Sequence, residues 1–115
     1  MLRESARAFL GARSSSAAVR KAMSGELGYD PETWAAAMEL GWAMVAVPEE
    51  YGGIGLGDRA LAALMFEMGR LLFCGPFLAS VGWALPTLLQ TGSEAQKQRW
   101  APELAAGAVG TVVDL

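Results

Sequence analysis

The sequence predicts an all-α fold, an orthogonal bundle of about five to six helices, with the first strand of a following β-domain at the C-terminus. Three observations carry this. Leu61, Leu64, Met65, Met68, Leu71 and Leu72 recur at steps of three and four, the spacing of one helical face. Asp30-Pro31 and Ser93-Glu94-Ala95-Gln96 are helix-start signals. Asp30 and Ser93 offer oxygens to the free N–H groups of a first turn, Pro31 fills a position whose N–H has no partner, and Ser93 with Gln96 makes a capping box. The last segment, Val109-Gly110-Thr111-Val112-Val113-Asp114-Leu115, is rich in β-branched residues and reads as a strand.

The elements follow in order. A first helix over about Leu2 to Leu10 sets Leu2, Ala6, Phe9 and Leu10 against Arg3, Glu4 and Arg7 on the other side, and Gly11 with Ser14-Ser15-Ser16 breaks it. A short second helix covers about Ala17 to Met23 and stops near Ser24-Gly25. The third starts at Pro31, carries Trp34, Ala37 and Met38 at helical spacing, and ends at Gly41. The fourth starts at Asp58; its sparse charge, Glu67 and Arg70, implies cover on most faces. A fifth, from Pro76 to about Gln90, contains Pro86, which predicts a kink near its middle. The sixth starts at Ser93, and Pro102 opens one more turn closed by Gly107. Ala43 to Val47 is a second strand candidate but short, so the terminal strand lacks a partner. The expected division is therefore a helical domain over residues 1–108 and the start of a β-domain at 109–115.

The chain of 115 residues suits one domain, yet its hydrophobic fraction of 53% is high for a free-standing one. Some apolar surface is expected to meet another domain or subunit. A net charge of −3 without a basic cluster excludes nucleic-acid binding, which needs concentrated Lys and Arg. There is no histidine, which removes His-based triads and most zinc sites, and no metal site is expected. Cys74 is the single cysteine; its setting, Leu71-Leu72-Phe73-Cys74-Gly75, predicts a small buried hydrophobe in a reducing cytoplasm. No signal peptide is expected, because the first residues mix charged and apolar side chains. Leu71 to Ser93 is uncharged. Gly75-Pro76 interrupts that run, and Pro76 to Leu89 as a helix would rise only about 21 Å, short of a ~30 Å hydrocarbon core. A core helix, not a membrane span, is expected.

Few motifs carry chemistry. Gly52-Gly53-Ile54-Gly55-Leu56-Gly57 has neither the Gly-Lys-Ser/Thr of a P-loop nor G-x-G-x-x-G, and reads as a compact turn needing positive φ angles. Glu49 and Glu50 are sequence neighbours whose side chains point apart, so a shared-proton pair is not expected. Glu67 and Arg70 suit an i,i+3 ion pair at the rim of a helix. Met38, Met44, Met65 and Met68 read as core filling, as do Trp34, Trp42 and Trp100. Trp83 is ambiguous, because its uncharged segment either packs on protein or lines an apolar tunnel.

Four pieces in register resemble the amino-terminal helical domain of the acyl-CoA dehydrogenases. They are Leu40-Gly41-Trp42; Val47-Pro48-Glu49-Glu50-Tyr51-Gly52-Gly53-Ile54-Gly55; Glu67-Met68-Gly69-Arg70; and Gly92-Ser93-Glu94-Ala95-Gln96-Lys97-Gln98-Arg99-Trp100-Ala101-Pro102. The likeness spans nearly the whole chain; Ala101, where a typical member has Leu, is a small departure. It implies the first segment of an FAD-dependent enzyme that dehydrogenates acyl-CoA thioesters between the α and β carbons. This segment would form one wall of the acyl pocket and part of a subunit interface, and would be inactive alone. FAD and the catalytic glutamate belong to later domains of that family, so no catalytic or cofactor-binding residue is expected here. By family position, the acyl wall falls on Phe77, Leu78, Val81, Gly82 and Leu85. The implied partners are acyl-CoA, the remaining domains, homo- or hetero-oligomeric copies and an electron-transfer flavoprotein. Two other readings are a non-catalytic helical scaffold or heteromeric partner subunit of the same descent, and a small membrane-associated helical protein.

Overall fold

The computed structural model describes residues 1–114, and six α-helices account for most of them. Helix α1 (Leu2–Arg13) buries Ala6 and Leu10 completely. It runs through Gly11, where the sequence predicts a break. Gly11 keeps an ordinary φ, and the helix ends at Ser14, whose hydroxyl donates to the Leu71 carbonyl at 2.8 Å. Helix α2 (Ser16–Ser24) is capped by Ser15 and buries Val19. Helix α3 (Pro31–Glu39) starts as its sequence dictates: the Asp30 carboxylate accepts from the Glu32 N–H and from the Thr33 hydroxyl, which holds its carboxyl below the ordinary range. Gly41, at φ +80°, turns the chain out of α3.

A 3-10 turn over Trp42–Met44 then drives Trp42 into the core, edge-on to Phe9 at 5.1 Å and Phe73 at 6.1 Å. This region, the second strand candidate, is not a strand. Helix α4 (Asp58–Arg70) packs along α1 and buries Leu61, Leu64, Glu67 and Met68. The predicted stripe overreaches by one residue: Leu72 is 68% exposed, because it adopts φ +54° as the chain leaves the helix.

Where one kinked helix is expected, Leu78–Ala84 forms a π-helical segment that feeds α5 (Leu85–Thr91). The Leu85 N–H bonds the Ser80 carbonyl, five residues back. Pro86 has no N–H for the ladder, and its ring needs space at the carbonyl four residues earlier; a widened turn supplies that space. Helix α6 (Glu94–Ala105) opens with both bonds of the Ser93–Gln96 capping box. Pro102 lies inside α6 instead of opening a separate turn. Ala106 N–H still reaches the Pro102 carbonyl, so the helix continues past the missing donor.

The chain then leaves under two buried side chains. Trp34 Nε1 donates to the Gly107 carbonyl at 3.1 Å, and the fully buried Ser80 hydroxyl both accepts from Gly110 N–H and donates to its carbonyl. The predicted strand is not formed: residues 109–114 enter no β-ladder, since no neighbouring strand is available among the described residues, and Leu115 lies outside them. Among the described residues no helix is long and apolar enough to cross a membrane. Cys74 is only half-buried and edges a cleft between α2 and α3, so it is not the enclosed hydrophobe that its neighbours suggest.

Candidate functional site

The five residues expected to form a ligand wall fall on opposite sides of the π-helical segment. Phe77, Val81 and Leu85 point into the core, each 3% exposed or less, with Phe77 edge-on to Trp34 at 6.5 Å. Leu78, one residue out of phase, is 59% exposed, and Gly82 sits beside it. Residues four apart share a helix face, which sets 77, 81 and 85 inward and leaves 78 and 82 off that face. Gly82 is packed over by neighbouring side chains. A methyl group there would lie 3.0 Å from Leu78 Cδ1 and 3.8 Å from Met65 Cε. Trp83, also 59% exposed, belongs to the same outer surface, so the aromatic of ambiguous role is not core. Trp100 is likewise largely exposed, with Arg99 stacked over it at 4.6 Å. On the inner side, Val81 and Leu85 edge a small cleft of about 120 Å³ with Ala46, Val47 and Leu61.

The glycine-rich turn closes on its own backbone. Gly53 N–H bonds the Pro48 carbonyl, Ile54 N–H that of Met44, Gly55 N–H that of Val47, and Leu56 N–H that of Val45. Those donors are therefore not aimed at a ligand. Each residue of the motif has a place: Tyr51 is buried and its hydroxyl meets both carboxylate oxygens of Glu94 at 3.0 Å, tying the turn to the start of α6. Burial, then the bond to Glu94, raises the Tyr51 phenol; bonds from Gln98 and Tyr51 lower the Glu94 carboxyl. Gly52, at φ +87°, brings its backbone against Pro102.

Glu67 departs most from expectation. Its ion pair with Arg70 exists, at 2.9 Å, but it is no rim pair: the carboxylate is completely buried. Arg3 and Arg7 of α1 also close on it, at 3.1 and 3.0 Å. The hydrogen bond from Arg7, helped by those from Arg70 and Arg3, outweighs burial and holds its carboxyl at about 2. A group so firmly ionised and engaged is a poor general base. Sequence reasoning missed the two arginines of α1 because it assigned the charged side of that helix to solvent. Spacing within one helix contains no information about a partner sixty or more residues away.

Together these features define a helical domain with a sealed core, an apolar outer flank, and no assembled set of catalytic groups among the described residues. The family model described as "Acyl-CoA dehydrogenase, N-terminal domain" matches residues 1–108. The chain belongs to the acyl-CoA dehydrogenase family and corresponds to its N-terminal domain. The acyl-CoA dehydrogenase IpdE2 of Mycolicibacterium smegmatis is 41% identical over 116 residues, covering 98% of this chain and 35% of that protein. IpdE2 of Mycobacterium tuberculosis is 38% identical over the same span. Among solved structures, the ChsE4-ChsE5 complex of Mycobacterium tuberculosis and a variant of the steroid ACAD Tcur3481-Tcur3483 each superpose with a TM-score of 0.84 at 27% identity. Each match covers 92% of this chain and 29% of the other. The chain thus spans about a third of the length of the relatives it matches.

Proposed function

We propose that this domain walls one side of the acyl pocket in a complete FAD-dependent acyl-CoA dehydrogenase, which oxidises an acyl-CoA thioester between its α and β carbons. The observation that carries this is the outer face of the π-helical segment. Leu78 and Trp83 give an uncharged exposed surface with the half-buried Gly82 between them, while Phe77, Val81 and Leu85 brace it from behind. An apolar wall that excludes water and holds the chain in place is what the reaction demands of such a domain. The description of one solved relative as a steroid ACAD favours a broad acyl group.

The glycine-rich turn does not suit FAD. The one glycine-rich turn has turned its N–H groups onto its own carbonyls, leaving no pyrophosphate cradle there. In this reading flavin, base and the contact with an electron-transfer flavoprotein belong to other parts of the enzyme, residues 109–115 lead into its β-domain, and this domain alone is inactive. A heteromeric partner role is the second reading, favoured by the two differently named chains of the ChsE4-ChsE5 complex. The test is Gly82→Leu in the complete enzyme, assayed across acyl-CoAs of increasing width. The reading requires kcat/KM to fall for wide acyl groups more than for narrow ones; an equal effect on all of them rules the wall out.

A further inference from the structure

The arginines around Glu67 do more than neutralise it. Three guanidiniums meet one carboxylate, so two positive charges are left over on a chain whose net charge is −3. Glu4, on the same helix, reaches Arg7 only through its field and forms no ion pair with it among the described residues. The guanidiniums are about half-exposed, at 53% for Arg3, 56% for Arg7 and 48% for Arg70, while the carboxylate beneath is sealed. Each therefore uses its inner edge on Glu67 and turns its remaining N–H groups outward. Arg3 Nη1, Arg7 Nη1 and Arg70 Nη2 donate to no atom of the described residues. Arg3 also lies over the Phe66 ring, 5.2 Å from its centroid, which fixes it further.

Such an arrangement differs from ordinary surface arginines in rigidity. A free arginine must lose side-chain entropy before it can hold a ligand; these three have lost it already, to the carboxylate. The outward Nη groups can donate to the oxygens of a tetrahedral oxyanion, and two uncompensated charges match a dianion. We infer that Arg3, Arg7 and Arg70, organised by Glu67, form a binding site for a phosphate dianion, either free phosphate or a phosphomonoester.

The test titrates the 115-residue chain with inorganic phosphate while the arginine guanidinium signals, Nη included, are followed by NMR, with chloride at equal ionic strength as control. Saturable shifts at Arg3, Arg7 and Arg70 with phosphate but not chloride are expected. Arg3→Gln, which leaves Glu67 with two partners, should weaken binding about tenfold, the effect of one charge-assisted bond. Glu67→Gln separates organisation from bulk charge: it makes the chain more positive, yet binding should weaken because the forks are released. Equal response to chloride, unchanged affinity in Arg3→Gln, or tighter binding in Glu67→Gln would each overturn the inference. Coenzyme A and dephospho-coenzyme A then distinguish the sources. Beside the response to inorganic phosphate, a tighter response to coenzyme A than to dephospho-coenzyme A assigns a phosphomonoester, and no response to either assigns the free anion. Preference for a polyglutamate peptide over both sinks the proposal in favour of protein docking. None of these outcomes depends on the acyl-wall reading, which the Gly82 variant tests.

Discussion

Gly53→Ala is the sharpest perturbation of the turn that carries the family motif. A Cβ at Gly53 would fall inside the van der Waals envelope of the Val47 carbonyl group and 2.5 Å from Val47 Cβ. Val47 is 2% exposed and cannot swing aside. Relief requires the turn to lift, which breaks the Gly53 N–H bond to Pro48 and the Gly55 N–H bond to Val47. Overpacking of ~1–3 kcal/mol with two lost bonds of ~1 kcal/mol each predicts a loss of about 3–5 kcal/mol. That is a large share of the ~5–15 kcal/mol that holds an ordinary domain together. Urea denaturation followed by far-UV circular dichroism measures it. Gly11→Ala is the matched control: no atom lies within 4 Å, its φ is ordinary, and it sits inside α1, so it should stabilise by roughly 0.5–1 kcal/mol. If Gly53→Ala loses less than about 1 kcal/mol, the close packing of turn on turn is wrong.

Glu67 gives a pH signature. Its carboxyl is lowered from 4.5 to about 2, so its contribution is complete above the unfolded value and is lost as pH falls from there towards 2. Thermal melts of wild type should show that loss, and Glu67→Gln should lack it while being less stable at neutral pH. Ser80→Ala strands the Gly110 N–H and carbonyl, a cost of ~1–3 kcal/mol, and should speed limited proteolysis after Gly107, read by mass spectrometry. Tyr51→Phe leaves the ring packed but removes the hydroxyl from Glu94, so it should lower Tm by less than Gly53→Ala does; an unchanged Tm would make that contact ornamental.

Short-range chemistry was legible without coordinates. Asp30, Ser93 with Gln96, and Gly41 act through backbone atoms within four residues of themselves, and each does in the fold what its type and position dictate. The stripe Leu61, Leu64, Met68 was equally readable, because burial on one face recurs with the helical turn. The family motif could be recognised, but its reason could not: the place of Tyr51 depends on Glu94, and that of Gly53 on the Val47 carbonyl.

Other features were decided only when distant segments met. Pro86 predicts a disturbance, but whether the backbone kinks or widens into a π-helix depends on what packs around it, as does the burial of Phe77, Val81 and Leu85 beside an exposed Leu78. Pro102 could end a helix or be carried through one, and a capped, packed α6 carries it through. The C-terminal valines have strand chemistry, but a strand is a property of a pair, and no strand lies beside them among the described residues. Local sequence thus determined where α3 and α6 start, where α3 stops, and which stripe of α4 is apolar. Tertiary structure alone decided that a carboxylate with one visible partner has three, since electrostatic partnership depends on distance in space and not on spacing along the chain.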